Sequence, residues 1–145
     1  MNEPGWLKYI AQHDIQTTQK AIEYIETKIM TAYAEFGFGL WLVELKESHR
    51  PIGICGFVNR DSLTNVDIGF AFLEAFGGKG YAFEAAEACL AFARSNLKDD
   101  NILAIVLPEN KRSIRLLEKL GFEQTSIFSH PGSDEKLHLF SIRNY

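Results

Sequence analysis

Residues 67–87, DIGFAFLEAFGGKGYAFEAAE, narrow what this chain can fold into more than any other stretch. They read as an apolar strand over 68–73, a loop closed by Gly77, Gly78 and Gly80, and an alanine-rich helix from about 80 to 96. Glycines lack a Cβ, so the loop backbone can approach a ligand closely and take up dihedrals closed to other residues. The unpaired N–H groups and the positive dipole end of the helix then make an anion site suited to phosphate or pyrophosphate. Two familiar phosphate loops do not fit. A Walker A loop would need a glycine at Leu73 and a hydroxyl at Gly80, and a GxGxxG fingerprint begun at Gly78 would end on Phe83. A glycine loop also serves simply to pack a helix tightly on a sheet, so the loop alone leaves both readings open.

The rest of the chain fits a single α/β domain over 1–145 around that unit. At 145 residues, about 68–70% of the unfolded surface can be buried. A short helix around 6–11 and a longer one from 17 or 18 to 34 are expected, with Ile22, Ile25, Ile29 and Tyr33 on one face and His13 in the linker between them. An antiparallel meander follows: 37–47, then IGICGFVNR after a polar turn, then the strand that begins near Val66. Ala82, Ala85, Ala86, Cys89 and Ala93 line one stripe of the helix after the loop, where small side chains let it lie close to the sheet. The run ILAIVL is a buried strand reached by a right-handed crossover. Asn110 or Ser113 caps a helix that carries Ile114, Leu117 and Leu120 inward and stops at Gly121. Two strands, 122–129 and 136–142, close the chain around the turn HPGSDE.

Charge and composition set limits on function. A formal net charge of -4 provides no basic field to gather nucleic acid. Cys55 and Cys89 have neither CxxC nor metal-ligand spacing, and read as buried free thiols; no metal is expected. No apolar run reaches membrane-spanning length and MNEPGWLK has no signal-peptide pattern, so a cytoplasmic location without membrane contact is expected.

GGKGYAFEA after DIGFAFL, followed by PENKRSIRLLEKLGF, resembles the acetyl-CoA-binding core of the GCN5-related N-acetyltransferase superfamily, in particular its RimJ/RimL branch. The family's pyrophosphate loop is Gln/Arg-x-x-Gly-x-Gly/Ala; Gly80 and Ala82 fill its fourth and sixth positions, while Gly77 stands where Gln or Arg is usual. The resemblance runs from about Pro4 to the C-terminus. It implies a mixed, mostly antiparallel sheet with helices on both faces, in the order ααβββαβαββ, which agrees with the pattern reading.

The resemblance also implies site residues. Pyrophosphate would lie on the loop Gly77, Gly78, Lys79, Gly80, Tyr81 and Ala82, with Lys79 and Lys119 as cations nearby. Pantetheine would meet the backbone of Ala71, Phe72 and Leu73, one N–H there facing the oxyanion. Asn110 matches a cofactor-contacting asparagine, and Ser113, one turn on, is the second catalytic candidate beside Asp67. Asp67 stands where several superfamily members carry a glutamate acting as general base; a carboxylate can do this if burial raises its pKa. Leu117 replaces a tyrosine that protonates the departing thiolate in many members, which leaves the acid unnamed, although the RimJ/RimL branch commonly lacks that tyrosine.

The function expected is acetyl transfer from acetyl-CoA to a primary amine, a protein N-terminus or a small amine, by direct transfer in a ternary complex. The alternative is a non-catalytic acyl-CoA-binding module. Relatives begin with one more strand and the start of a helix before the segment matching NEPGWLKYI. Without that strand, FGLWLVELKE is expected to form an open sheet edge and to pair a homodimer through residues 38–47.

Overall fold

The computed structural model describes residues 2–9 and 15–145, so His13 and the expected end of the first helix at Ala11 lie outside the described residues. The chain opens with α1 (Pro4–Tyr9). Next comes α2 (Thr18–Tyr24), which runs through a π-helical segment (Ile25–Met30) into α3 (Thr31–Phe36). The Thr17 side chain caps α2 by accepting from the Lys20 N–H, and Gly37, with φ +75°, ends α3 in the left-handed conformation a glycine adopts without strain. The strands β1 (Leu40–Glu44), β2 (Pro51–Val58) and β3 (Asp67–Phe72) form the meander. A 3-10 turn (Glu74–Phe76) and the glycine loop lead into α4 (Tyr81–Asn96), then β4 (Asn101–Val106), α5 (Lys111–Lys119), β5 (Glu123–Phe128) and β6 (Leu137–Arg143).

The six strands lie in the order β1-β2-β3-β4-β6-β5, with every neighbouring pair antiparallel except β3 and β4. One core layer lies between the sheet and the helices α4 and α5. Ala86, Cys89, Leu90 and Ala93 of α4 and Leu117 of α5 meet Cys55, Phe57, Ile68, Ile102, Ala104 and Phe140. The small residues of α4 face the sheet as their spacing predicts. Side chains alternate across a strand, so with Ile68 in this core, Asp67 faces the opposite side of the sheet.

The long N-terminal helix departs from its expected face. Ile22 and Ile25 are exposed and only Ile29 and Tyr33 are half-buried, because the π-turn adds one residue and re-phases the stripe. The half-buried set is Ala21 and Tyr24, then Ile29, Ala32 and Tyr33, a five-residue step across the bulge. Two threonine hydroxyls bond back to carbonyls within it, Thr27 to Glu23 at 2.7 Å and Thr31 to Glu26 at 3.2 Å, a local alternative to the regular ladder. The first expected strand, 37–47, is likewise shorter. Gly37 still belongs to the helix terminus, and β1 occupies one end of the sheet.

Leu117 is 1% exposed at the centre of this layer. Leu117→Ala should cost about 2–5 kcal/mol through lost burial and the cavity left behind. Urea unfolding monitored by tryptophan fluorescence should show the midpoint fall with the slope unchanged.

Candidate active site

β3 and β4 are in register at a single pair, Asp67 opposite Leu103, where the Leu103 N–H donates to the Val66 carbonyl at 2.9 Å. Past that point the two parallel strands part. Residues two apart on a strand direct their backbone groups to the same side, so the N–H groups of Phe70 and Phe72 face the gap, as the Val66 carbonyl does. Leu73 points the other way, its N–H donating to the Ile52 carbonyl at 2.9 Å. Of the three expected backbone contacts, Ala71 and Leu73 are thus turned toward β2, and Phe72 offers the donor on the open side.

The gap leads to the glycine loop. Gly78 and Gly80 adopt φ +74° and +87°, and no side chain caps α4. A Cβ at either glycine would meet nothing within 4 Å, so this backbone borders open space. The first-turn donors of α4, Tyr81 and Ala82 among them, therefore lack the capping partner a helix N-terminus ordinarily finds. Gly77 is the exception in the loop: a Cβ there would collide with the Arg112 guanidinium, which reaches across from α5. A cation thus occupies the place of the side chain this loop does not carry. Glu3, just before α1, ties that end of the chain to the turn after β3, its carboxylate accepting from the Glu74 N–H at 2.7 Å. Lys79 lies over the Phe76 ring at 5.5 Å and Lys119 over Phe83 at 4.1 Å, which fixes both ammonium groups near the loop and α4.

Asn110 is the N-cap of α5, its Oδ1 accepting from the Ser113 N–H at 3.2 Å. The bond joins the two predicted residues and leaves the N–H groups of the Asn110 amide uncommitted by it. Leu117, buried in the core, contributes no acid.

On the opposite face of the sheet, Asp67 is 2% exposed and accepts from the Arg60 Nε at 2.9 Å. Burial pushes its carboxyl up from the ordinary aspartate range, and the charge and hydrogen bond of Arg60, with a smaller contribution from His130, hold it back. His130, in the β5–β6 turn, places its Nδ1 3.4 Å from the Ser62 hydroxyl and its ring edge-on to Phe128 at 4.9 Å between centroids. Tyr24 of α2 also feels Arg60, and burial pushes its hydroxyl up. Tyr24, Arg60, Ser62, Asp67 and His130 therefore converge from four separate segments. Only Asp67 was legible in the sequence; the others lie on turns and on the re-phased helix, where no periodicity marks them. Among the described residues, no group of three or more His, Cys, Asp and Glu side chains could hold a metal ion. Likewise no helix there is long and apolar enough to cross a membrane.

A mixed sheet whose one parallel pair parts beside an uncapped glycine-loop helix defines an acetyltransferase-type α/β domain. Residues 1–123 match the acetyltransferase (GNAT) domain, and the chain belongs to that family. It is 38% identical over 88 residues to the uncharacterized protein YkkB of Bacillus subtilis (strain 168), covering 59% of this chain and 51% of that protein. It is 36% identical over 91 residues to the [ribosomal protein uS5]-alanine N-acetyltransferase of Escherichia coli (strain K12), covering 61% and 45%. The chain thus spans about half the length of these relatives. The structure of yncA, a putative acetyltransferase from Salmonella typhimurium with its cofactor acetyl-CoA, shares the fold, with TM-score 0.69 at 20% identity over 89% of this chain and 75% of that one.

The Asp67 environment has a measurable sign. A carboxyl whose folded pKa is raised contributes stability that is fully present below its unfolded value, near pH 4, and lost as pH rises through the folded value. Relative to the parent, Asp67→Asn should therefore gain stability between pH 4 and pH 7, chosen as the assay limits. Denaturant unfolding of both proteins across that window checks this; a constant or widening deficit contradicts it.

Proposed function

We propose that the protein is an acetyl-CoA-dependent N-acetyltransferase that moves an acetyl group to a primary amine by direct transfer in a ternary complex. The observation that carries the reading is the parting of β3 from β4 beside the uncapped loop. It leaves a row of extended backbone for a pantetheine arm and, at its end, amide donors for a pyrophosphate. The thioester supplies an activated acetyl carbonyl. Phe72, and Phe70 before it, present N–H groups to the side where that oxygen gains negative charge, and fixed donors of this kind need no reorganisation during the reaction. Arg112 adds charge at Gly77, and Asn110 and Ser113 flank the same end of α5.

The amine must shed a proton to attack. Asp67 is the buried carboxylate nearest the parted strands, and its raised pKa suits it to accept that proton. Its ion pair with Arg60 works against the role, so His130 and Ser62 supply the adjoining route by which the proton leaves toward solvent. The acceptor approaches on the face carrying Tyr24 and the β5–β6 turn, and a protein N-terminus or a small amine are both admitted. Relatives named as ribosomal-protein N-acetyltransferases support the first.

A second reading, a non-catalytic acyl-CoA-binding module, is favoured by two observations: Asp67 is locked to Arg60, and Leu117 stands buried where an acid would serve. Thermal shift with acetyl-CoA, CoA and longer acyl-CoAs, followed by thiol release with a panel of amines, separates the two. Acetyl-CoA should stabilise the protein and release thiol only with an amine present; binding without release selects the module, and no binding rejects both. Gly80→Asp and Arg112→Ala should each weaken acetyl-CoA binding about tenfold or more. Asp67→Asn and His130→Ala should instead lower kcat while leaving cofactor affinity near that of the parent.

A further inference from the structure

Cys55 on β2 and Cys89 on α4 face one another where helix meets sheet, their sulfurs 3.6 Å apart and joined by an S–H···S hydrogen bond. Both are free and buried, and no step of acetyl transfer uses them. Cys55 is fully buried and Cys89 is 7% exposed. Both line a groove of about 380 Å³ between β1 and α4, whose walls include Trp41, Val43, Glu44 and Phe92. A small solute in the groove therefore reaches the Cys89 side first, with the Cys55 sulfur in contact behind it.

We infer that Cys55 and Cys89 form an oxidisable dithiol, a modification site at which a small hydroperoxide closes an intrachain disulfide between β2 and α4. The inference is independent of the proposed acetyl transfer. Cys89 attacks first: it is the more exposed of the two thiols, and the bond it shares with Cys55 holds it below the usual range, whereas the same bond and burial push the Cys55 thiol up. The Cys89 thiolate bonds to the distal peroxide oxygen as the O–O bond breaks, and the alcohol leaves with the proton Cys89 gave up. The resulting sulfenic acid is then attacked by the Cys55 sulfur; the S–O bond breaks and water leaves with the Cys55 proton. Two thiols and one hydroperoxide thus give one disulfide, one alcohol and one water. The sulfurs must close from 3.6 Å to about 2.05 Å, a bonded separation. The crosslink would tie the middle of α4, whose first turn borders the anion site, to the strand beneath it.

The test treats the reduced full chain with a slight excess of hydrogen peroxide, denatures it, alkylates it with iodoacetamide and measures intact mass. A monomer lighter by two hydrogens, refractory to alkylation, restored by dithiothreitol and yielding a peptide that joins residues 55 and 89, is the expected result. Two fully alkylated cysteines, stable oxygen addition without a crosslink, or a crosslink between chains would overturn it. Cys55→Ala leaves Cys89 without a resolving partner and should accumulate a dimedone-reactive sulfenic acid; its absence rejects Cys89 as the attacking thiol.

Discussion

The hydrogen bond from the Leu103 N–H to the Val66 carbonyl marks where β3 and β4 are still one sheet. Sheets normally satisfy every interior backbone group, and a buried N–H without a partner is costly. A strand pair that opens after one register position must therefore leave its donors to something else, and here they line a gap that ends at the N-terminus of α4. The crossover places that helix terminus at the carboxyl end of β3, where ligand crevices of open α/β sheets form. The site is thus a consequence of topology, and the glycines at 78 and 80 shape its rim.

The two faces of the sheet then divide the work. One face is closed by the alanine stripe of α4 and by Leu117, which lets the helix axis approach and brings its first turn to the gap. The other carries Asp67, the single buried charge among the described residues, balanced by a partly exposed arginine. A carboxylate so placed lies between two tendencies, burial favouring the neutral acid and Arg60 favouring the anion. Its proton affinity is consequently sensitive to whatever enters beside it. The π-turn in the N-terminal helix serves the same face, because the added residue brings Ile29 into line with Tyr24 on the half-buried side, while Ile22 and Ile25 are exposed.

Much of this was legible from residues alone. Apolar runs separated by turn chemistry gave the strand and helix order, the start of α5 was narrowed to Asn110 or Ser113, of which Asn110 is the cap, and the spacing of small residues gave the buried face of α4. Local pattern could not give the splay of β3 and β4, since both strands are equally apolar and the parting depends on how each is held by its other neighbour. Nor could it give Arg60, Ser62, His130 or Arg112, each on a turn or an exposed helix face and joined to its partner only by tertiary folding. The glycine at position 77 looked like the loss of a side chain; the fold returns a cation to that place from another helix.

The central claim is that the backbone of β3 beyond Ile68 is unpaired on its β4 side and is completed by the proposed cofactor. Residue-resolved amide hydrogen exchange by NMR tests it most directly. The Phe70 and Phe72 amides should exchange quickly in the free protein, unlike Ile68 beside the β4 contact, and should become protected with Tyr81 and Ala82 when acetyl-CoA is added. Slow exchange at Phe70 and Phe72 before any addition, or exchange there that acetyl-CoA leaves unchanged, would contradict the account.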